Sequence, residues 1–595
     1  MVRSVLATAL LCACLADPRG ECAADADCGS GAPGSFCAGG ICQGPPRGTV
    51  DSFGAGTFAR TATVRVHVRV DHSHGAATAR VVFGGTAFAA QALPDGSLAA
   101  DLPLSLAPAG VEGAVPFSVE LRDDLGHHST LPGTVQVDDR APRLSVDATS
   151  VPVSPVLRGV PVSLRVLVED LSPVTVAGAT RSADGSFALP VDTRAAAPDA
   201  STLEVAVVAT DAVGNVGTAH ASFPLTRLKF VARHPTTRSI QSVVLTDTLI
   251  WGLADQSEFW LLRRSDGASL LRPPTGGNAF PQLATDGSRL FFARTDNQLC
   301  RMGADGVIQL CRDEGATLTS GPILQGTTAI VATTGGAAKS SRLLGLVDDA
   351  VGTQTASNQL ANFAGNMPAL GPDGIVYAGA AQAIAVGLST SFNWATARAT
   401  TESSFYRGQP AFRGTSVLLA TTAAKIDTFA FNDPLGSPAP PPTTIQVAPL
   451  GVTLLSPTIA ADGTALLATD DRHLIALRPD NSVRWTLSLN DQPTAPPTNG
   501  NGGVVYLGTV GGDILALSLA DGSTLWKYAA GSPIRGPLAP GCDGILYAAT
   551  DGAVHALAID APGLASSSWP MASHDVRGSG DAARPLRSAA GACLE

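Results

Sequence analysis

Apolar and polar residues alternate with a period of two through the first part of the chain. Residues 63–70 read TVRVHVRV, which places four valines on one face and Arg65, His67 and Arg69 on the other. Because successive side chains of a strand point to opposite faces, this pattern predicts a half-buried β-strand. Further stretches follow the same rule, namely 118–122, 135–137, 162–168 and 203–208.

These strands group into two units that close with similar corners. The corners read RDDLGH at 122–127 and TDAVGN at 210–215, and the join between the units reads VDDRAP at 137–142. Asp, Gly and Asn suit a turn with left-handed backbone positions. The two units resemble tandem bacterial immunoglobulin-like domains. The resemblance implies two β-sandwiches, at 48–140 and 141–227, of a kind that usually serves as a spacer or an adhesive module.

The rest of the chain repeats a proline followed by a turn and an apolar strand. Intervals of 40 to 47 residues separate these prolines, at 281, 322, 368, 410, 457, 497 and 537. One more unit, without the proline, begins near Ser242. Blades of four strands repeat every ~40–50 residues. The pattern predicts an eight-bladed β-propeller over 228–580, whose closure leaves no long open sheet edge.

The clearest unit covers 503–526 and reads GVVYLGTVGGDILALSLADGSTLW. An apolar strand, a Gly-Gly turn, a return strand and an Asp-Gly turn precede Trp526. The large apolar body of this tryptophan can pack between neighbouring blades. Trp394 and Trp485 hold the same place in their own units.

These units resemble the pyrroloquinoline-quinone-type repeat family of β-propellers. The string WPMASHDVRG at 569–578 also resembles a segment near the ends of such propellers in bacterial surface proteins. The enzymes of the family hold a quinone over the propeller axis with a calcium or lanthanide ion, a catalytic Asp and usually a disulfide between adjacent cysteines. Other members have degenerate blades and bind no quinone. One is the outer-membrane assembly lipoprotein of Gram-negative bacteria, a scaffold that binds other proteins.

The motifs of catalysis are missing from the sequence. It contains no adjacent cysteine pair, no CxxCH, no HExxH and no GxSxG. Asp-Gly pairs such as those at 286–287 and 462–463 recur at the blade period, so turn chemistry explains them better than calcium binding does. We expect no catalytic residue, no metal ligand and no cofactor.

The N-terminus has the features of an export signal. Arg3 precedes an apolar run over 5–16, which is too short to span a bilayer but suits a signal peptide. The letters LCAC at 11–14 resemble the bacterial lipobox, which implies a signal peptide at 1–13 and a lipid on Cys14. The competing interpretation is an ordinary signal peptide cut near Ala16 or beyond.

Cysteine spacing indicates an oxidising compartment. Four cysteines fall within one short Gly-rich stretch of the predicted module 14–47, namely Cys22, Cys28, Cys37 and Cys42. Two disulfides would hold such a stretch together, and the competing zinc site would favour CxxC pairs, which are absent. Cys300 and Cys311 flank a predicted hairpin turn, which favours a cross-strand disulfide. Cys542 and Cys593, the latter in the C-terminal tail 581–595, then remain, and we expect them to pair by elimination.

Histidines and overall charge narrow the possible partners. His72, His74, His127 and His128 lie in turn-like segments, and we interpret them as exposed loop residues rather than as metal ligands. The net charge of −11 argues against a nucleic-acid partner.

The sequence thus predicts an all-β chain, with a short Cys-rich module and two immunoglobulin-like sandwiches before an eight-bladed propeller. The leading hypothesis is an exported, non-catalytic lipoprotein of a Gram-negative-type envelope, in the periplasm or on the outer surface. A lipid anchor would be its sole membrane attachment, and its propeller would bind envelope proteins or glycans. The alternatives are a quinone-dependent dehydrogenase of alcohols or sugars, and a surface adhesion or structural protein.

Overall fold

The computed structural model describes residues 36–38, 41–51, 53, 56–73, 75–236, 238–313, 317–334, 342–346, 366–380, 383–388, 393–399, 405–430, 442–588 and 591–594. The chain divides into two compact units. The first runs up to Val151 and adds Ser163–Val191 and Glu204–Ser222, while the second comprises Pro152–Val162, Asp192–Leu203 and Phe223–Glu595. No helix in the described part is long and apolar enough to cross a bilayer.

A hairpin of two short strands opens the described chain, β1 (Phe36–Ala38) and β2 (Ile41–Gln43). It sets Cys37 opposite Cys42, and Cys37 is disulfide-bonded. Cys14, Cys22 and Cys28 lie outside the described residues.

The next strands are β3 (Arg47–Val50), β4 (Thr57–Ala59), β5 (Thr63–His72), β6 (Thr78–Phe83), β7 (Thr86–Ala89), β8 (Gln91–Ala92), β9 (Leu98–Pro103), β10 (Glu112–Arg122) and β11 (His128–Asp138). They form two sheets, in the orders β3-β5-β9-β8 and β4-β11-β10-β6-β7. The two sheets share one core, in which Val66 and Val68 of β5 meet Val119 and Leu121 of β10. The alternation at 63–70 therefore produces the buried face it predicts.

A second set follows with β12 (Arg143–Val146), β13 (Val156–Leu157), β14 (Val162–Glu169), β15 (Val174–Val176), β16 (Thr180–Arg181), β17 (Phe187–Val191), β18 (Thr202–Asp211) and β19 (Val216–Thr226). Its sheets have the orders β12-β14-β17-β16 and β13-β19-β18-β15. Single 3-10 turns occur at Leu104–Leu106, Ala148–Ser150 and Thr193–Ala195. In each set one short strand pairs in parallel with the last long strand, β4 with β11 and β13 with β19. The immunoglobulin-like assignment stays a prediction.

The remaining strands belong to eight four-stranded sheets within the described residues, which we label blades 1 to 8. They are β20 (Leu228–Arg233); in blade 1, β21 (Ile240–Leu245), β22 (Leu249–Ala254), β23 (Glu258–Arg263) and β24 (Ser269–Leu271); in blade 2, β25 (Ala284–Thr285), β26 (Arg289–Ala293), β27 (Gln298–Gly303) and β28 (Ile308–Asp313); in blade 3, β29 (Thr317–Leu318), β30 (Ile323–Gln325), β31 (Thr328–Thr334) and β32 (Arg342–Leu346); in blade 4, β33 (Ala369–Leu370), β34 (Ile375–Ala380), β35 (Ala383–Leu388) and β36 (Asn393–Ala399); in blade 5, β37 (Tyr406–Arg413), β38 (Ser416–Thr421), β39 (Lys425–Ala430) and β40 (Thr443–Gln446); in blade 6, β41 (Thr458–Ile459), β42 (Ala465–Ala468), β43 (His473–Leu477) and β44 (Val483–Ser488); in blade 7, β45 (Thr498–Gly500), β46 (Val504–Gly508), β47 (Asp513–Ser518) and β48 (Thr524–Ala529); and in blade 8, β49 (Ala539–Pro540), β50 (Ile545–Thr550) and β51 (Ala553–Ala558).

Blade 8 closes the ring. Its outermost strand is β20, from the start of the propeller, which pairs with β51 from the end. Around the axis, the innermost strand of each blade contacts the next from β49 through β21, β25, β30, β33, β37 and β41 to β45. The all-β prediction is confirmed, and the strand Val504–Gly508 is the second of its blade, because the short β45 lies inside it.

The blade tryptophans pack against the following blade. Trp526 is buried in a cluster with Leu546 and Leu557 of blade 8. Trp485 packs against a cluster that includes Val505 of blade 7 and donates its indole N–H to the Leu519 carbonyl at 2.9 Å. The side chain of Trp394 lies outside the described residues.

Two arginines of the second unit, Arg158 buried and Arg227 partly buried, share one carboxylate. Arg158 and Arg227 both bond Asp560, and the Arg227 guanidinium lies 4.8 Å from the centre of the Trp526 ring. Burial lowers the pKa of Arg227, against the opposing effect of Asp560. Arg158 also donates to the carbonyls of Arg194 and Ala197, so these contacts fasten the segments 152–162 and 192–203 to blade 8.

Two disulfides differ in what they span. Cys300 on β27 lies directly opposite Cys311 on β28 and is bonded to it, across the turn that the sequence predicts. Cys542 is bonded to Cys593, 51 residues later. The second disulfide attaches the end of the chain to blade 8.

Candidate functional site

A stretch without regular secondary structure, residues 568–580, occupies the propeller axis; we call it the axial segment. Its carbonyls accept backbone N–H groups from the innermost part of six blades. The donor–acceptor pairs, each 2.7–2.8 Å apart, are Ile459–Trp569, Asn499–Pro570, Leu245–Val576, Thr285–Arg577, Leu324–Ser579 and Leu370–Gly580. Ser568 donates its hydroxyl to the Phe412 carbonyl of a seventh blade. The segment therefore makes one circuit inside the ring, from blade 5 through blade 8 to blade 4.

The repeated prolines mark where these bonds form. In four blades the N–H that bonds the axial segment belongs to the residue two positions after the proline, at Leu324, Leu370, Ile459 and Asn499. A proline at the start of an innermost strand has no N–H that would be left unpaired beside the axis. The sequence repeat thus serves both the blade and its contact with the segment.

Close packing holds the segment in place. Trp569 is fully buried, with its ring 5.2 Å from that of Phe412. Gly578 has a φ of +69°, and a Cβ there would lie 2.1 Å from the Leu283 carbonyl oxygen. A residue with a side chain would meet both backbone strain and a clash.

A buried carboxylate organises the turn at the centre of the segment. Asp575 accepts the backbone N–H groups of Arg577 and Ser579 and the Ser579 hydroxyl. Arg584 lies 3.3 Å away. Burial opposes ionisation of Asp575, but His574, Arg584 and the Ser579 N–H outweigh it and hold its pKa at about 2. The carboxylate is ionised at neutral pH and fully engaged.

Gln409 joins the segment to two blades. Its side chain accepts the Ser573 N–H at 2.8 Å and donates to the Pro368 carbonyl at 3.0 Å. Its backbone N–H donates to Ser456 Oγ at 2.9 Å. The amide is almost completely buried and satisfied, so it is part of the framework.

Above the axial segment lies a cavity of about 370 Å³, which we call the axial cavity. Its walls come from seven of the eight described blades, at or just before their innermost strands, and its floor from Met571, Ser573, Asp575 and Val576. The volume falls in the range of small-molecule sites, ~300–1,000 Å³. This is our candidate functional site.

Charge in the axial cavity is paired. Arg535, at the rim, makes two bonds to Asp551, at 2.8 and 2.6 Å. Asp575, the acid among the described lining residues, is engaged as stated above, and none of these lining residues has an aromatic ring. The cavity is therefore neutral, with amide and hydroxyl groups among proline and aliphatic side chains.

The Asp-Gly turns behave as hairpin chemistry predicts. Asp286, Asp462 and Asp543 each accept a backbone N–H two residues ahead. Among the described residues, one group of side chains brings metal-ligating atoms together, namely Asp138, Asp170 and Asp211 in the first unit. None of the three turn aspartates belongs to it.

That acidic group is held by its own loops. Ser172 donates to Asp138 at 2.6 Å, and Asp211 accepts the backbone N–H groups of Val213 and Asn215. Burial and the nearby acids raise the pKa of Asp170. Of the histidines, His127 faces Asp123 and His128 is exposed, while His74 and the side chain of His72 lie outside the described residues.

Residues 446–563, which include blades 6 and 7, match the family model described as outer membrane protein assembly factor BamB. This part of the propeller is therefore similar to pyrroloquinoline-quinone-type repeats. No curated protein matches the chain in sequence.

Several solved structures have a similar fold. BamB from Moraxella catarrhalis is 13% identical, with 56% of this chain and 100% of that chain covered and a TM-score of 0.45. Quinohemoprotein alcohol dehydrogenase from Comamonas testosteroni is 11% identical, with 57% and 77% covered and a TM-score of 0.44. Sqt1 from Saccharomyces cerevisiae is 9% identical, with 56% and 100% covered and a TM-score of 0.46. Similarity at this level concerns the fold alone, so function has to be judged from the residues at the axis.

The sequence pattern did not predict the axial segment's circuit. It carries one sequence signal, the string at 569–578, but its bonds to the blades use backbone carbonyls, which any residue supplies. The sequence also gave no sign that Gln241 and Ser242 line the cavity.

Proposed function

We propose that the protein is an exported envelope lipoprotein whose propeller is a non-catalytic scaffold for protein partners. The observation that carries the proposal is the axial segment, because the chain fills its own axis with residues bonded to seven blades. The match of residues 446–563 to an outer membrane assembly factor supports an envelope role.

The residues at the axis do not fit a quinone with calcium. The oxygens of Asp575 already accept N–H and O–H groups, and the described lining residues offer no other carboxylate for the ion. Calcium prefers six to eight oxygen ligands, usually with several carboxylates. The lining residues that the structure describes include no aromatic ring to stack on a flat cofactor, and the sequence has no adjacent cysteines.

Two assays on the intact protein test the non-catalytic proposal. Incubation with pyrroloquinoline quinone and Ca²⁺, followed by dye reduction with alcohols and aldose sugars, should give no turnover above a protein-free control. Affinity capture from envelope extracts should retain specific proteins. Robust dye reduction would overturn the proposal.

Lipid attachment is tested separately. Cys14→Ser should abolish incorporation of labelled palmitate and release the protein from membranes, because a lipid chain anchors a protein without crossing the bilayer. Cys12→Ser is the matched control, since it removes the neighbouring cysteine of the same sequence. Equal labelling of both variants would contradict the anchor.

A further inference from the structure

Two side chains of the axial cavity have unmet hydrogen-bonding capacity. Gln241 Oε1 and Ser242 Oγ are buried and have no hydrogen-bond partner within the described residues. Ser242 as a whole is 9% exposed, and both residues line the cavity. A buried polar atom without a partner is costly, so its presence points to a group that supplies the missing bond.

The backbone of blade 1 places these residues there. The pairing of β21 with β22 advances from Ile240 to Ser242, so Gln241 is an extra residue in a β-bulge. Bulges redirect side chains and are frequent beside functional sites.

Blade 1 also departs from the repeat at this point. Val243, two residues before the Leu245 N–H that bonds the axial segment, stands where four other blades carry the recurring proline. Ser242 comes directly before this position.

The chemistry of the lining defines the class of ligand. A carbonyl oxygen without a partner requires an N–H or O–H donor. A charged ligand would lose hydration without gaining a free counter-charge, because Arg535 is paired with Asp551 and Asp575 is engaged in the floor. Aliphatic groups such as Val243 and Leu283 accept an apolar body.

We propose that the axial cavity binds an uncharged, donor-bearing amide, of the kind that a peptide loop presents, and that the Gln241 and Ser242 side chains rotate from their shielded positions so that Oε1 and Oγ bond it. The identification of the amide's source as a loop of a protein partner rests on the proposed function. The cavity's ability to bind an amide does not depend on which partner supplies it.

The test compares an uncharged dipeptide amide with the corresponding carboxylic acid. Saturation-transfer NMR would titrate the full protein with N-acetyl-glycylglycinamide and with the free acid N-acetyl-glycylglycine. The amide should bind saturably, and the acid at least about tenfold more weakly, because its carboxylate finds no free cation. Equal affinity, or no saturable binding of the amide, would overturn the proposal.

Variants locate the binding and separate it from folding. Gln241→Leu and Ser242→Ala should each weaken amide binding about three- to tenfold, without lowering the melting temperature, because they remove groups that lack a partner. Thr428→Val is the matched control, since it removes another buried hydroxyl without a partner, on β39 and outside the cavity lining. Unchanged binding in both cavity variants, or equal weakening in the control, would contradict the site.

The two proposals fail in different ways. Quinone-dependent dye reduction would refute the non-catalytic scaffold, whatever the amide does. Loss of amide binding, with specific partner capture retained, would refute the axial cavity alone and direct attention to the propeller rim.

Discussion

The blades and the axial segment are stabilised by different kinds of contact. A blade is a meander in which each strand bonds its neighbour in the chain, as β46 does with β47. The axial segment bonds residues far away in sequence: Ser568 reaches a residue 156 positions back, and Arg577 one 291 positions back. Local repeats can thus build the ring, but a single non-repeating segment joins nearly all of its members at the axis.

The first prediction compares a tryptophan from each region. Trp526→Ala and Trp569→Ala should each lower the free energy of unfolding by about 3–5 kcal/mol, because both remove a large buried side chain. Denaturant unfolding measures both. A Trp569 variant as stable as the wild type would show that the axial segment is not part of the core.

The second prediction compares the two disulfides. With the separations of 11 and 51 residues, chain entropy gives a loss of about 3 kcal/mol for Cys311→Ser and about 4 kcal/mol for Cys593→Ser. The location of the effect is the sharper distinction. Hydrogen exchange should rise around residues 564–594 in the Cys593 variant and around β27 and β28 in the other, and the reverse pattern would contradict the assignment.

The third prediction separates close packing from backbone strain. Gly578→Ala should cost about 3 kcal/mol, because it combines a positive φ with a clash against Leu283. Gly531→Ala is the control: its φ is +78° and no atom lies within 4 Å of the added Cβ. Backbone strain alone should lower the stability of this control by about 1 kcal/mol. Equal losses of stability for the two variants in thermal unfolding would contradict the role of the close contact.

The same contrast explains what the sequence could predict. Period-two alternation and the recurring proline identify strands, because they reflect local geometry and burial at each repeat. The facing positions of Cys300 and Cys311 follow from one hairpin turn. The circuit of the axial segment depends on backbone carbonyls, which every residue has. The bulge at Gln241 depends on the register between two strands. Neither feature changes the amino-acid composition, so neither could be predicted from it.

The smallest predicted effect concerns acid stability. The pKa of Asp575 is about 2 in the folded protein, below the ~3.9 of an unfolded chain. A depressed pKa stabilises the fold above the unfolded value, and the contribution of about 2 kcal/mol is lost as pH falls from ~4 towards 2. Asp581 acts in the opposite direction, because burial raises its pKa.

Asp575→Asn isolates the first carboxylate. Its unfolding free energy should fall less steeply with acid than that of the wild type between pH ~4 and 2, as measured by denaturant titration at each pH. Parallel curves would show that Asp575 does not contribute to this pH dependence.

Hydrogen exchange of the intact protein tests the closed axis most directly. The amides of Leu324, Leu370, Ile459 and Asn499 donate to the axial segment and lie in innermost strands of only two or three residues. If the segment fills the axis, these amides should be protected as strongly as those in the central strands of the blades, such as β46 and β50. Exchange at the rate of exposed turns, such as the one at Asp521, would contradict the account.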